Sequence, residues 1–112
     1  YGHAVGDEVL RGVAQQLAER VRSTDFVARF GGEEFAMLLP GADVKAALNL
    51  ADQLRCGIAE AGFGKGEIRV PVTISCGLSC FERGDSPQSV FGRADHALYR
   101  AKQAGRNRCW VV

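Results

Sequence analysis

The chain has 112 residues, 46% of them apolar, a size that suits one compact domain and is too short for two. Its 14 basic and 13 acidic residues nearly balance, so no overall field would draw the protein onto nucleic acid or an anionic membrane. The longest apolar stretches are far shorter than the roughly 20 residues of a membrane helix. We therefore expect a soluble segment without membrane contact, in which a local site holds any phosphate ligand.

The first half of the chain predicts a helix, a hairpin and a second helix. Apolar residues recur at helical spacing over residues 7–22. Short apolar runs at 26–30 and 35–39 flank Gly-Gly-Glu-Glu, and this pattern predicts a β-hairpin because glycines adopt the positive φ angles of a two-residue turn. A second helix is expected from Asp43, as its N-cap, to about Ala61.

The second half predicts a strand, a helix and a last strand. Apolar and small residues alternate over 72–80, which is the period of a strand. Ser86 as N-cap, Pro87 at the first helical position and Gly105 as C-terminal stop delimit the third helix. Residues 109–112 form the last predicted strand. This order of elements indicates an α/β sandwich with a partly antiparallel sheet.

The four cysteines lack CxxC spacing, and two of them fall in the predicted strand over 72–80. This indicates small core residues in a reducing cytosol, in preference to disulfide partners. The chain opens at Tyr1 with no signal-like segment, and we expect it to be part of a longer protein.

Two constellations suit phosphate chemistry. Gly31 and Gly32 leave room for phosphates close to the backbone, and the carboxylates of Glu33 and Glu34 could hold Mg²⁺, which prefers oxygen ligands. A hairpin with exposed acids can also be only a turn. Lys102 and Arg106 follow at the end of the third helix, where they could bind phosphate or merely complement the helix dipole.

Four phrases in order make the chain resemble the GGDEF domain of the diguanylate cyclase family over essentially its whole length. They are Tyr-Gly-His followed by Gly-Asp at 1–7, Arg-Phe-Gly-Gly-Glu-Glu-Phe at 29–35, Val-Thr-Ile-Ser-Cys-Gly at 72–77, and the Ala-Asp-x-Ala-Leu-Tyr run ending in Gly-Arg-Asn at 94–107. The resemblance implies that residues 1–112 are the larger, C-terminal part of one such domain. It also implies a ferredoxin-like, adenylyl-cyclase-type α/β fold with a central mixed sheet.

The resemblance also assigns roles to single residues. Glu33 matches a catalytic ligand of Mg²⁺ (or Mn²⁺), and Glu34 lies beside the same metal. Asp7 matches the carboxylate that reads guanine, although an acid at that place could simply suit the first turn of a helix. The remaining implied substrate-binding residues, which lie against the triphosphate, are Gly31, Gly32, Lys102 and Arg106.

Arg22 and Asp25 stand at the offset of the family's inhibitory RxxD site, where the product, cyclic di-GMP, binds. A helix end followed by a turn acid gives the same pattern. Five residues separate Asp25 from the Gly-Gly-Glu-Glu-Phe signature at 31–35, however, and this spacing favours the inhibitory site. Asn49 and Gln53 occupy positions at which some relatives carry arginines that complete the site from a neighbouring subunit. Product binding is therefore expected to be weaker in this chain.

The implied function is the condensation of two GTP molecules into cyclic di-GMP by a cytoplasmic, bacterial homodimer. The parent protein is expected to carry an N-terminal regulatory domain and could be membrane-anchored. In the family, a strand before Tyr1 supplies a further metal ligand, so residues 1–112 alone are expected to be unstable and inactive. Two alternatives remain: a non-catalytic GGDEF receptor for cyclic di-GMP or GTP, and a ferredoxin-like interaction module or RNA binder.

Overall fold

The computed structural model describes residues 3–29, 34–64, 67 and 69–112. The predicted order of elements is confirmed. The helices and strands are α1 (His3–Arg20), β1 (Phe26–Arg29), β2 (Phe35–Leu38), α2 (Val44–Ala61), β3 (Cys76–Leu78), α3 (Pro87–Gln103) and β4 (Cys109–Val111). The described part of the chain forms two compact units, one from Tyr1–Gly41 and Gly57–Val72 and the other from Ala42–Cys56 and Thr73–Val112.

The first unit contains α1 and the hairpin. Helix α1 begins four residues earlier than predicted, and Val5 in its added turn is buried. It ends at Arg20 instead of Arg22 because a turn uses the next polar groups: the Asp25 amide donates to the Arg22 carbonyl at 3.0 Å, and the Arg22 amide donates to Asp25 Oδ2 at 2.8 Å. Such a side-chain acceptor competes with continuation of the helix.

Strands β1 and β2 pair antiparallel, with Phe26 opposite Leu38 and Arg29 opposite Phe35. The hairpin predicted at this place is thereby confirmed in its strands. The predicted turn at Gly31 and Gly32 lies outside the described residues. Arg29 and Phe35 are the last pair of the ladder, and in the sequence they stand on either side of residues 30–34.

Phe63 is a core residue of the first unit that the sequence pattern did not reveal. Its backbone exchanges two hydrogen bonds with Val70, of 3.0 and 2.6 Å. Its buried ring lies against Gly12 of α1, where a Cβ would approach Phe63 Cε1 to 2.8 Å. The absence of a side chain at Gly12 is therefore what admits the ring.

The second unit contains β3, α3 and β4, which form a parallel βαβ unit. Helix α3 begins as predicted, with Ser86 accepting from the Ser89 amide at 3.1 Å while Ser89 Oγ accepts from the Ser86 amide at 3.0 Å. This reciprocal pair is a capping box. Helix α2 also begins as predicted, because Asp43 Oδ1 accepts from the Ala46 amide at 2.8 Å.

The strand predicted over 72–80 is shorter in the structure, where β3 spans only Cys76–Leu78. Alternation shows which side chains can share a face, but a strand also needs a partner for its backbone groups. In the described part of the chain, β4 offers three residues for pairing, from Cys109 to Val111. The described strands thus form one antiparallel and one parallel two-stranded sheet, and both orientations expected of a mixed sheet are present.

The cysteine prediction is only partly correct. Cys76, Cys80 and Cys109 are half-buried, but Cys56 is exposed on α2. Its position between Leu54 and Ile58, which are both fully buried, puts it on another face of that helix. Among the described helices, none combines the length and the apolar composition that crossing a membrane would require.

Candidate functional site

A cavity of about 480 Å³ in the first unit brings one face of α1 together with the inner ends of the hairpin strands. Its charged lining residues are Asp7, Arg11 and Arg29, and its apolar lining residues are Leu10, Ala14, Ala18, Val27 and Phe35. The α1 residues recur at steps of three and four, which places them on one face of the helix. The volume lies in the range of about 300–1,000 Å³ that is typical of small-molecule sites.

Asp7 contributes an exposed carboxylate to this cavity. Because α1 begins at His3, Asp7 lies in its second turn, and the first turn of the helix carries no acid. The interpretation of Asp7 as a first-turn acid that complements the helix dipole is therefore wrong, since that effect fades beyond the first turn. An exposed carboxylate in the lining of a pocket can accept paired hydrogen bonds from a ligand.

The signature segment is described only at its two sides. Arg29 and Phe35 line the cavity, and Glu34, with an exposed side chain, directly precedes β2. Gly31, Gly32 and Glu33 lie outside the described residues, so their roles stay predictions. The oxygen donor that the structure does describe there, Glu34, is of the type that Mg²⁺ and Mn²⁺ prefer.

No cluster of three or more His, Cys, Asp or Glu side chains suited to a metal occurs within residues 3–29, 34–64, 67 and 69–112. A divalent ion at Glu34 would therefore need Glu33, substrate phosphates or water as its other ligands. This donor set fits Mg²⁺, which usually takes one or two carboxylates together with substrate phosphates.

Lys102 and Arg106 belong to the second unit, where α3 ends and turns towards β4. Lys102 is half-buried in the last turn, and Arg106 is exposed. Gly105, Arg106 and Asn107 all have positive φ angles, of 122°, 63° and 46°. A left-handed conformation is costly for arginine and persists where the surroundings fix it, often at a binding site. Arg106 thus occupies a backbone conformation that glycine would adopt at lower cost.

Arg22 and Asp25 are held together in the first unit. Arg22 Nη2 donates to Asp25 Oδ1 at 2.8 Å and to the Pro40 carbonyl at 2.7 Å. The Asp25 side chain is 1% exposed, whereas that of Arg22 is 55% exposed. The hydrogen bond from Arg22 holds the pKa of the Asp25 carboxyl below its ordinary value. The guanidinium is therefore accessible but already has two oxygen acceptors.

Asn49 and Gln53 are exposed on α2. Asn49 also lines a second cavity, of about 410 Å³, in the second unit, together with Asp52, Arg55, Asn107, Arg108, Cys109 and Leu48. No short sequence motif marks this group, because its members come from two distant segments of the chain. This cavity differs from an ordinary surface because two arginines and two asparagines surround a cysteine.

A family model described as "Diguanylate cyclase, GGDEF domain" matches residues 1–108. The chain is 49% identical, over all its residues, to the diguanylate cyclase DgcP of Pseudomonas aeruginosa, and 41% identical, over 96% of its residues, to the response regulator PleD of Caulobacter vibrioides. It spans only 17% and 24% of the lengths of these relatives.

Solved structures give the same picture. The GGDEF domain of DgcB from Caulobacter crescentus, crystallised in complex with c-di-GMP, aligns with 99% of the chain at a TM-score of 0.94 and 33% identity. The diguanylate cyclase SiaD of Pseudomonas aeruginosa, in complex with its activator SiaC, aligns with the whole chain at a TM-score of 0.93 and 32% identity. The chain covers 67% and 43% of these two structures. The expected α/β fold of GGDEF domains is thereby confirmed.

Proposed function

This chain belongs to the diguanylate cyclase GGDEF domain family, and on this premise we propose that its protein condenses two molecules of GTP into cyclic di-GMP and releases pyrophosphate. The observation that carries the proposal is the cavity of the first unit, in which Asp7 meets Arg29 and Phe35, the residues that flank the Gly-Gly-Glu-Glu segment. We therefore assign Asp7 to the base and the neighbouring Gly-Gly-Glu-Glu segment to the phosphates of one bound nucleotide.

Asp7 is assigned to guanine. The N1–H and 2-amino groups of guanine are adjacent donors, and one carboxylate can accept from both. Adenine presents no such pair of donors, so the contact discriminates between purines. The apolar face of α1 below Asp7 suits the rings of the base, since stacking surfaces of ligand sites are mostly apolar.

Glu33 and Glu34 are assigned to the divalent ion, Mg²⁺ or Mn²⁺. When bound, such an ion neutralises charge on the triphosphate and positions it for displacement. Gly31 and Gly32 have no side chains and so leave the backbone open to the phosphates. Lys102 and Arg106 are also assigned to the phosphates, with the guanidinium forked for two oxygens. The left-handed backbone at Arg106 supports this assignment, because the chain retains an arginine at a costly conformation.

The reaction requires two copies of the domain. The 3′-hydroxyl of one GTP attacks the α-phosphate of the other, forming a phosphodiester bond and breaking the bond to the β-phosphate. The second such step closes the ring, and two pyrophosphates leave. Since each copy holds one GTP, we propose that the active form is a homodimer, and its catalysis rests mainly on positioning.

Arg22 and Asp25 are proposed to form the inhibitory product site. The exposed guanidinium can bind a phosphate of cyclic di-GMP. The Asp25 carboxylate, whose side chain is 1% exposed, can accept from guanine only after Arg22 moves away from it. In the free chain, Arg22 bonds to Asp25 and to the Pro40 carbonyl, so the product has to compete with these contacts. Asn49 and Gln53 lack the positive charge that arginine would add. The competing contacts of Arg22 and the missing charges both support weak inhibition.

The cellular setting follows from the same family assignment. We propose that the protein acts in the bacterial cytoplasm and that an N-terminal domain regulates it. Residues 1–112 are proposed to be the larger, C-terminal part of one GGDEF domain. By themselves they are expected to be inactive, because the described strands form only two-stranded sheets, which are marginal without further partners.

The deciding experiment incubates the full-length protein with GTP and Mg²⁺ and measures cyclic di-GMP by chromatography. We expect product from the wild type, none from Glu33→Ala, and an unchanged yield from Glu60→Ala, which removes an exposed acid on α2. Binding of cyclic di-GMP without synthesis would instead identify a receptor. Undiminished synthesis by Glu33→Ala would overturn the assignment of that residue.

A further inference from the structure

Cys76 and Cys109 face each other across the parallel pair of β3 and β4. They are register partners, and both are half-buried free thiols. Neighbouring strands are about 4.8 Å apart, and register partners direct their side chains to the same face of a sheet. Disulfides join Cα atoms that are about 4.4–6.8 Å apart. The backbone therefore already holds these two cysteines at a separation that a disulfide accepts.

Cys109 also lines the cavity of about 410 Å³ in the second unit, together with the cations Arg55 and Arg108. Arg55 Nη2 is 2.8 Å from Asp52 Oδ1 and donates to Cys56 Sγ at 3.2 Å, while Nη1 donates to Asn107 Oδ1 at 3.0 Å. These contacts hold the guanidinium next to Cys109. A small reagent that enters the cavity would thus meet the Cys109 sulfur beside a fixed positive charge.

The two thiols are electrostatically unequal. Hydrogen bonding from the neighbouring, protonated Cys76 favours the Cys109 thiolate and lowers the pKa of Cys109, an effect that Arg55 increases and that burial and Asp52 oppose. The interaction with Cys109, together with burial, raises the pKa of Cys76. Thiolates are the reactive form of cysteine. Cys109 is therefore the attacking member of the pair, and Cys76 is the proton-holding, resolving member.

We propose that Cys76 and Cys109 form a reversible thiol–disulfide site that reacts with small-molecule disulfides such as oxidised glutathione. The Cys109 thiolate attacks one glutathione sulfur, which breaks the glutathione disulfide and releases one reduced glutathione. Cys76 then loses its proton and attacks the Cys109 sulfur of the mixed disulfide, and this step releases the second. Two protein thiols are oxidised and one small disulfide is reduced, so the exchange balances without another reagent.

The Cys76–Cys109 disulfide would join the first residue of β3 to the first residue of β4. The strands are already connected there, because the Cys76 amide donates to the Arg108 carbonyl at 3.0 Å and Asn107 donates to Ser75 Oγ at 3.1 Å. Closing the loop between residues 76 and 109 restricts the unfolded chain, which is the usual origin of stabilisation by a disulfide. This inference does not depend on the proposed cyclase activity.

The first test equilibrates the full-length protein with glutathione buffers of increasing oxidised fraction, blocks free thiols and maps disulfides by mass spectrometry. Trypsin places Cys76 and Cys109 in different peptides, since Arg83 and Arg108 lie between them. We expect a Cys76–Cys109 link in the wild type and in Cys80→Ser and Cys56→Ser. We expect the link to be lost in Cys76→Ser and Cys109→Ser. Folded wild-type protein that never forms this link, or that stops at a mixed disulfide, would overturn the proposal.

The second test separates the electrostatic role of Arg55 from a structural one. The alkylation rate of Cys109 is measured against pH in the Cys76-containing protein. Arg55→Gln should move the midpoint of this profile to higher pH, and Asp52→Asn should move it to lower pH, because Asp52 opposes the thiolate. Identical profiles for both variants, or shifts in the same direction, would contradict the assigned roles of these residues.

Discussion

Gly77 in β3 lies directly against the backbone of Leu98 in α3. A Cβ on Gly77 would be 2.7 Å from Leu98 Cα and closer still to the Leu98 nitrogen and the Ala94 carbonyl oxygen. These are backbone atoms of a helix, which cannot move aside as the end of a flexible side chain can. The contact lets α3 approach the β3–β4 sheet closely.

The Gly77→Ala substitution is therefore expected to destabilise the protein strongly. Overpacking of a well-packed site typically costs about 1–3 kcal/mol and sometimes more, and the rigid backbone contact puts this site at or above the upper end. Urea denaturation of the full-length protein measures the loss. Gly92→Ala is the control, because Gly92 lies within α3 with open space around it. Alanine should raise the free energy of unfolding there by about 1 kcal/mol, since it favours the helix more than glycine does. Equal stability of the two variants would refute the close contact.

Asp7→Ala should weaken the preference for GTP over ATP. Losing a bidentate contact to a base costs about 1–3 kcal/mol, so the ratio of kcat/KM values for the two nucleotides should fall roughly 5- to 150-fold. Glu19→Ala, which removes an acid elsewhere on α1, should leave the ratio unchanged. If Asp7→Ala discriminated as well as the wild type, guanine would have to be read elsewhere.

Arg22→Ala should relieve product inhibition. Hydrogen bonds to charged groups contribute about 1.5–3 kcal/mol, so the concentration of cyclic di-GMP for half inhibition should rise roughly 10- to 150-fold. Lys45→Ala serves as the control, since it removes an exposed cation of α2. The initial rate without added product should stay near that of the wild type. Unchanged inhibition in Arg22→Ala would show that the product acts at a different site.

The Asp85–Arg93 ion pair should make stability depend on pH in acid. Arg93 contacts both oxygens of Asp85 at 2.7 Å and thereby holds the pKa of the Asp85 carboxyl well below its usual range. A carboxyl with a depressed pKa stabilises the fold above its unfolded pKa, near 4, and the contribution is lost as pH falls through the lower, folded value.

Asp85→Asn should accordingly melt at a lower temperature than the wild type at pH 7, and the difference should shrink as the pH is lowered below about 4. Thermal denaturation between pH 7 and pH 2 measures this convergence. Asp95→Asn is a suitable control, since Asp95 is an exposed acid of α3, the helix that carries Arg93. If the difference in melting temperature stayed constant down to the lowest pH, the stabilisation by Asp85 would come from packing and not from its charge.

The helix starts set by local chemistry could be predicted, and those set by tertiary contacts could not. Ser86 with Pro87, and Asp43, specify the starts of α3 and α2 through side-chain caps that are visible in the sequence. The start of α1 at His3 adds a turn in which Val5 is buried, and the helical spacing over residues 7–22 did not predict it. The short β3 likewise reflects how many residues β4 can pair with, a fact absent from the alternation in residues 72–80.

The candidate sites divide in the same way. Asp7 and the Gly-Gly-Glu-Glu-Phe signature could be predicted because each belongs to a short, continuous sequence phrase. The structure adds that Asp7 shares a cavity with Arg29 and Phe35. Asp85–Arg93 and the Arg55–Cys109 neighbourhood join residues that are distant in sequence or lack a recurring spacing. Such pairs depend on how α3 and β4 fold back on their neighbours, and no local pattern encodes that.

The floor of the first-unit cavity is a single stripe of α1, running from Asp7 through Leu10 and Ala14 to Ala18. Each residue of an α-helix turns the chain by about 100°. One residue inserted between Asp7 and Leu10 would therefore swing the carboxylate out of phase with the stripe, whereas an insertion before Asp7 would leave the alignment intact. The proposed recognition of the base by Asp7 would thus depend on the angular phase of one helix, so we expect length changes inside that span to be far less tolerable than substitutions.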